Sequence, residues 1–304
     1  MADKKYGHLI KPITYRRTEE SGQPEYTGNL RGTTLEGLNG GFVHGFRRNP
    51  GPWGGHLAVS HVHPYNETML FTGIDYDHPN ELPARLTVGL GPEGEIHTLD
   101  KPTVVVCPAG VPHGPIASPS VEKPYAFLAV VCQGERMSDD VELRGETDGH
   151  KYDGLVQPYE MRYLKREGSG NADWMTGWSG ANQEGFKLNF TWAFHTGVGP
   201  FHTHDPHVHP NDEVLVFVGT DADRPDYLGA EIEVFMGEEM ESHVFDTPTA
   251  VVAPAGLVHC PLVVRRVDRP WNFTAICLNN THDTTWLGGD PNVPNRYAHP
   301  PRRE

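Results

Sequence analysis

Eight side chains in this chain are of the kinds that hold a divalent metal, and they fall into two sets with one spacing. His61-Val-His63-Pro-Tyr-Asn-Glu67 recurs as His207-Val-His209-Pro-Asn-Asp-Glu213. Pro108-Ala-Gly110-Val-Pro-His113 recurs as Pro254-Ala-Gly256-Leu-Val-His259. In each set the last histidine follows the glutamate by 46 residues, and the sets stand 146 residues apart. Imidazole and carboxylate together suit a borderline divalent ion. Three neutral imidazoles and one carboxylate carry a single negative charge. A divalent ion then leaves the centre at net +1, which favours an anionic oxygen ligand. Octahedral ions keep two positions open beside four protein ligands, so Fe, Mn, Ni or Co is expected rather than Zn, which saturates at four. The expectation is up to two such ions per chain, with Glu67 and Glu213 as candidate catalytic bases.

The elements that must position these residues repeat as well. Aligned without gaps, residues 61–115 and 207–261 are identical at 27 of 55 positions. One module has been duplicated, and a period this long means two similar domains rather than a solenoid. Tyr6 and Leu9-Ile-Lys-Pro12 match Tyr152 and Leu155-Val-Gln-Pro158 at the same offset. The chain divides into domains 1–150 and 151–304, with residues 133–150 as the connection and an extended Pro-rich tail after Leu287. The 34 glycines and 27 prolines separate short β-branched runs, which predicts an all-β protein. Strands are predicted at Leu9–Tyr15, Gly41–Phe46, Leu57–His63, Thr68–Thr72, Arg85–Leu90, Thr103–Cys107 and Tyr125–Val131. In the second half they are predicted at Lys187–Phe194, Val214–Val218, Glu231–Met236, Ala250–Ala253 and Asn272–Leu278. A short helix is predicted at Glu160–Glu167. On a regular strand His61, His63 and Glu67 share one face, although Pro64 breaks the ladder there.

The pattern H-x-H-x3-E followed by P-x-G-x2-H resembles the paired motifs of the cupin superfamily. The chain as a whole is similar to bicupins, a group that includes oxalate decarboxylases and quercetin dioxygenases. The resemblance implies two tandem jelly-roll β-barrels with one metal inside each. Carried over residue by residue, the implied ligands are His61, His63, Glu67 and His113 in the first barrel. In the second they are His207, His209, Glu213 and His259. One departure concerns the opening glycine of the first motif: Gly55 fits it, but Phe201 stands at the aligned position of the second half.

Other repeated residues have plainer readings. His97 and His243 match but fall outside the motifs, and are expected to be structural polar groups. His202 and His204 form an extra H-x-H without a carboxylate at the right distance, and are not expected to be main ligands. Tyr65, Met69, Phe71, Leu215, Phe217 and Trp192 suggest a partly apolar pocket. Arg31 and Arg85 are the candidate clamps for a substrate carboxylate.

A formal charge of −15 disfavours nucleic acid and anionic membrane as partners. No run of 18 apolar residues exists, so no membrane crossing by a helix is expected. The first residues lack an apolar secretory core, and Cys107, Cys132, Cys260 and Cys277 show no C-x-x-C spacing. The expectation is a cytoplasmic protein with reduced thiols and a small-molecule substrate, compatible with a homo-oligomer. Three functions fit: an oxygenase acting on an enolic, catecholic or hydroxy/keto acid substrate, a non-oxidative Lewis-acid decarboxylase, isomerase or lyase, and a ligand-binding bicupin without catalysis.

Overall fold

The computed structural model describes residues 4–18, 26–135, 137–142, 149–164, 170–183, 185–201 and 205–287. Among them only 3-10 turns interrupt an all-β architecture of two double-sheet barrels. In the first barrel a seven-stranded sheet runs in the order Val156–Pro158, Thr103–Cys107, Glu67–Gly73, Tyr125–Val131, Gly41–Arg47, Tyr26–Arg31, Arg16–Arg17. It faces a sheet ordered Asp139–Asp140, His61–Val62, His113–Val121, Ala84–Leu90, Glu95–Leu99, with Gly51–Pro52 also paired to His113–Val121. The second barrel repeats both sheets, with Glu213–Gly219, Trp271–Cys277 and Asn189–His195 in the larger one and His207–Val208 and His259–Val267 in the smaller.

The central strands of the larger sheets are buried on both faces, which is why they read as unbroken apolar runs. Alternation then sorts their side chains. Met69, Phe71, Val105 and Phe127 pack inside the first barrel with Trp53, Leu86 and Val88. Leu70, Val104, Val106, Leu128 and Val130 point the other way and join the cluster of the second barrel. Each such side chain, fully buried, contributes roughly 1.5–3 kcal/mol. The two barrels therefore share a hydrophobic seam.

Edge strands are exchanged across that seam. Ile10–Pro12 pairs with Thr249–Ala253 of the second barrel, and Val156–Pro158 pairs with Thr103–Cys107 of the first. Glu95 accepts the backbone N–H of Lys151 and Tyr152, while Glu241 accepts those of Lys5 and Tyr6. His97 Nε2 lies 2.9 Å from Glu95, and His243 Nε2 lies 2.9 Å from Glu241. The matching histidines outside the motifs thus hold the glutamates that fasten the exchanged arms.

Three local expectations are corrected. Arg162–Tyr163, inside the predicted helix, is a strand paired with Trp174–Met175; residues 165–167 lie outside the described residues. The predicted strand Leu57–His63 is a 3-10 turn at Gly55–Ala58 and a strand of only two residues at His61–Val62. Gly51–Pro52 and Gly199–Pro200 occupy the same place against His113–Val121 and His259–Val267. Phe201 is therefore the counterpart of Trp53 rather than of Gly55; the second half is two residues shorter before its first motif. His202, His204 and the tail beyond Leu287 lie outside the described residues.

Candidate metal centres

Each centre is built where the two sheets of a barrel meet. His61 and His113 are register partners on adjacent strands of the smaller sheet, as are His207 and His259. Glu67 and Glu213 open the central strands of the larger sheets. The turn between the two histidines and the glutamate lets the chain pass from one sheet to the other, so the odd-numbered parity of the motif is satisfied without a continuous strand. The Pro-Ala-Gly segments tie the distant histidine to the first motif. Gly110 and Gly256 sit at φ +79° and +78°, a region that disfavours any residue with a Cβ. Their N–H groups donate to His63 O and His209 O at 2.9 Å.

In the first centre His61, His63, Glu67 and His113 are all buried, and one donor atom from each lies within 4.8 Å of the others. His63 Nε2 is 2.9 Å and His113 Nε2 3.4 Å from Glu67 Oε2. The other ring nitrogens face backbone carbonyls: His63 Nδ1 donates to Tyr65 O at 2.6 Å, His113 Nδ1 to Val111 O at 3.0 Å and His61 Nδ1 to Val59 O at 3.3 Å. A carbonyl can only accept, so each Nδ1 donates outward and each Nε2 is turned inward, in His63 and His113 toward the Glu67 carboxylate. This is the outer arrangement that orients metal-binding histidines. The Tyr65 ring stacks on His63 at 4.0 Å. His113 Nε2 is buried with only the Glu67 carboxylate, 3.4 Å away, before it, a long contact that a cation between them would replace.

Electrostatics keep His61, His207 and the two glutamates in ligating form. Burial pushes His61 down to about 4. Burial pushes Glu67 up, but hydrogen bonds from His113 and His63 outweigh it and hold the carboxyl well below its usual range. In the second centre burial pushes His207 down to about 3. Burial pushes Glu213 up, and hydrogen bonds from His209, His259 and His282 likewise outweigh it and hold it low. The donor sets therefore fit up to two divalent transition ions, with no proton to displace from His61 or His207 at neutral pH.

The second centre differs in its mouth. His209 Nε2 and His259 Nε2 lie 3.4 and 3.2 Å from Glu213 Oε2. A further histidine, His282, places Nε2 2.9 Å from Glu213 Oε1. No repeat marks His282, because its counterpart at the 146-residue offset is Arg136, so motif reasoning passed it by. The segment that carries it runs on to Thr285–Trp286, which pairs with His207–Val208 as Asp139–Asp140 pairs with His61–Val62. Trp286 covers His207, ring centres 4.8 Å apart. Cys260 lies close to His207 and His259. Its counterpart Gly114 would put a Cβ 3.6 Å from His61 Nδ1, the outward nitrogen, so the thiol belongs behind the ligands.

A cavity of about 380 Å³ opens on the first centre. Trp53, Met69, Phe71 and Phe127 supply apolar wall, and Thr27, Asn29 and Arg31 supply polar groups. Tyr65, Met69 and Phe71 line it as expected, and so does Arg31. Trp192 does not join such a pocket: its ring stacks on His44 across the seam between the barrels, centres 6.1 Å apart. Arg85 is on the outer face of its strand, exposed to solvent.

No family model matches the chain, and no curated protein does. Solved structures do. A structure of oxalate decarboxylase from Bacillus subtilis, described for its Mn(II) centres, superposes with a TM-score of 0.61 at 12% identity, covering 91% of this chain and 79% of that one. The same enzyme at pH 4.6 gives 0.57 at 12% identity over 90% and 76%. A point mutant of that enzyme gives 0.59 at 12% identity over 90% and 77%. These likenesses establish the bicupin fold. Among the described residues no helix is long and apolar enough to cross a membrane.

Proposed function

We propose that this chain is a divalent-metal-dependent enzyme that turns over a small oxygenated organic acid in the first barrel. The observation that carries this reading is the cavity above the first centre, with Arg31 at its wall. Arg31 Nη1 is buried and has no hydrogen-bond partner among the described residues. A guanidinium N–H in that state is poised for a carboxylate or enolate oxygen, which would offset its desolvation. The bound ion supplies Lewis acidity toward an oxygen of the substrate. Arg31 and Asn29 orient the anion, and the apolar wall excludes bulk water and strengthens that attraction. Glu67, ionised and at the cavity floor, holds its place as ligand and is the group able to accept a proton there.

Between the two chemistries open to such a centre, the non-oxidative one, decarboxylation or a related lysis or isomerisation, is favoured by the cationic clamp. The structural neighbours, whose names record a decarboxylase with Mn(II) centres, point the same way. A ring- or enol-cleaving oxygenase is the second reading, favoured by the aromatic wall of Trp53, Phe71 and Phe127. The deciding experiment offers the metal-loaded protein a panel of small keto, hydroxy and dicarboxylic acids and catechols. CO2 release or product formation without stoichiometric O2 uptake is expected. O2 consumed one-for-one with substrate would replace the first reading by the second. Retention of metal with no turnover of any class would leave a binding protein. We assign the work to a cytoplasmic protein, consistent with four free thiols.

A further inference from the structure

In the second barrel a histidine that the repeat does not supply groups with His209 and Glu213, while His207 and His259 group with Cys260. His282 Nε2 is 2.9 Å from Glu213 Oε1, and one donor atom each from His209, Glu213 and His282 lie within 4.8 Å of one another. Ligands on one ion at about 2.0–2.2 Å stand no farther apart than roughly twice that distance, so this spacing is within reach of shared coordination after small shifts. The ring of His282 stacks on His209 at 4.5 Å, which fixes its direction. His209 Nε2 and His282 Nε2 face the same Glu213 carboxylate, 3.4 Å from Oε2 and 2.9 Å from Oε1.

The segment holding His282 is anchored on both sides. Thr281 Oγ1 donates to Asp283 Oδ2 at 2.8 Å, and Asp283 O accepts from His209 Nδ1 at 2.8 Å. Thr285–Trp286 pairs with the strand of His207, and Leu287 N donates to Pro206 O at 2.9 Å. The same backbone run exists in the first barrel, where Asp139–Asp140 pairs with His61–Val62. At the 146-residue offset the sequence has Arg136, outside the described residues, and a guanidinium is always protonated and offers no lone pair to a metal.

We propose that His282 is a fifth protein ligand of the second centre, which makes it a closed metal site that excludes a chelating substrate. The proposal rests on the reading that each barrel holds an ion. Five protein donors leave an octahedral ion a single position, too few for two substrate oxygens. Trp286 lies against His207 beside them, ring centres 4.8 Å apart. Two barrels with one ligand motif are thus divided between an open centre and a sealed one.

The test uses the full chain carrying His113→Ala, so that only the second centre fills, loaded with Co(II). A second protein adds His282→Ala. The visible bands of the bound Co(II) are expected to differ between the two. EDTA is expected to strip cobalt about tenfold or more faster from the protein with His282→Ala. Oxalate, a chelate needing two positions, is expected to shift the bands as a bidentate ligand only when His282 is absent. Identical bands together with release rates within about twofold would overturn the proposal. A lower melting temperature of the metal-free His282→Ala protein with unchanged bands would overturn it too, by assigning the ring to packing alone. If neither protein binds cobalt the proposal fails, while the reading of the first barrel stands, since no step here uses turnover. Glu67→Gln offers a second way to empty the first centre should His113→Ala fail to fold.

Discussion

The two barrels share a ligand motif, a strand order and a pair of exchanged arms, yet their interiors part company just above the ligands. In the first, Trp53 and Phe127 meet edge to face at 5.0 Å and leave space over the centre, with Arg31 reaching its wall. In the second, His195 is stacked against Phe201 and Trp271 at 4.8 and 4.6 Å, Phe217 and Phe273 pack at 5.2 Å, and His282 and Trp286 stand beside Glu213 and His207. Register places Ser179 opposite Asn189 as Arg31 is opposite Gly41, so the second barrel has a short hydroxyl where the first has its guanidinium. Duplication preserved the candidate cation ligands and relaxed the residues around them. Coordination needs fixed atoms in a fixed geometry, whereas walls need only volume and polarity.

The sharpest way to break this contrast is to remove one distant histidine at a time. His113→Ala is expected to lose one metal equivalent and to lower turnover by about 10³-fold or more, because the centre that binds substrate is dismantled. His259→Ala is expected to lose the other equivalent and to keep turnover within about threefold of the parent. Metal analysis beside kcat checks both, and equal losses of activity would erase the proposed division of labour.

Arg31→Gln comes next. It is expected to raise KM for an anionic substrate by roughly 10- to 100-fold, the 1.5–3 kcal/mol of a hydrogen bond to a charged group. Ser179→Ala, at the matching register, is expected to change neither KM nor kcat. Saturation kinetics on both proteins decides this, and an unchanged KM in Arg31→Gln would remove the clamp.

The scaffold should behave oppositely and show symmetry. Glu95 is buried and accepts two backbone N–H groups of the exchanged arm. Glu95→Ala is expected to cost about 1–3 kcal/mol, since two donors lose their acceptor. Glu241→Ala, which frees the arm at the other end, is expected to lower the melting temperature as well. Thermal melts of the metal-free proteins read both, and a fall for only one would show the arms to be unequal.

The smallest effect lies at the seam. His44 is buried, bonded to the Tyr15 hydroxyl at 2.6 Å, and burial pushes it down to about 3. The folded protein therefore holds His44 neutral while the unfolded chain protonates it below its ordinary value of 6.5. Stability from this group is full above pH 6.5 and is lost as pH falls toward 3, at up to about 1.4 kcal/mol per pH unit. His44→Phe is expected to flatten that part of the acid limb in urea titrations, and an unchanged limb would place the acid sensitivity elsewhere.

Much of this molecule was legible before any coordinates. The 146-residue repeat exposed the duplication, and alternation exposed the β architecture. The spacing of His61, His63, Glu67 and His113 marked residues that the fold does bring together. The same reasoning failed where the copies differ. Trp192 looks like pocket material in a linear reading, but its even place on Asn189–His195 turns it into the seam. A gapless alignment also misplaced Phe201, because a two-residue deletion is invisible when only identities are counted.

Residue types and intervals alone nominated the side chains for a cation and showed a duplicated all-β module to carry them, since donor chemistry and strand periodicity are local properties. Which centre stays open was decided only in three dimensions. His282 and Arg31 acquire meaning from segments distant in sequence that fold over a mouth or line a wall. Accessibility is a property of how surfaces pack, and no interval along a chain encodes it.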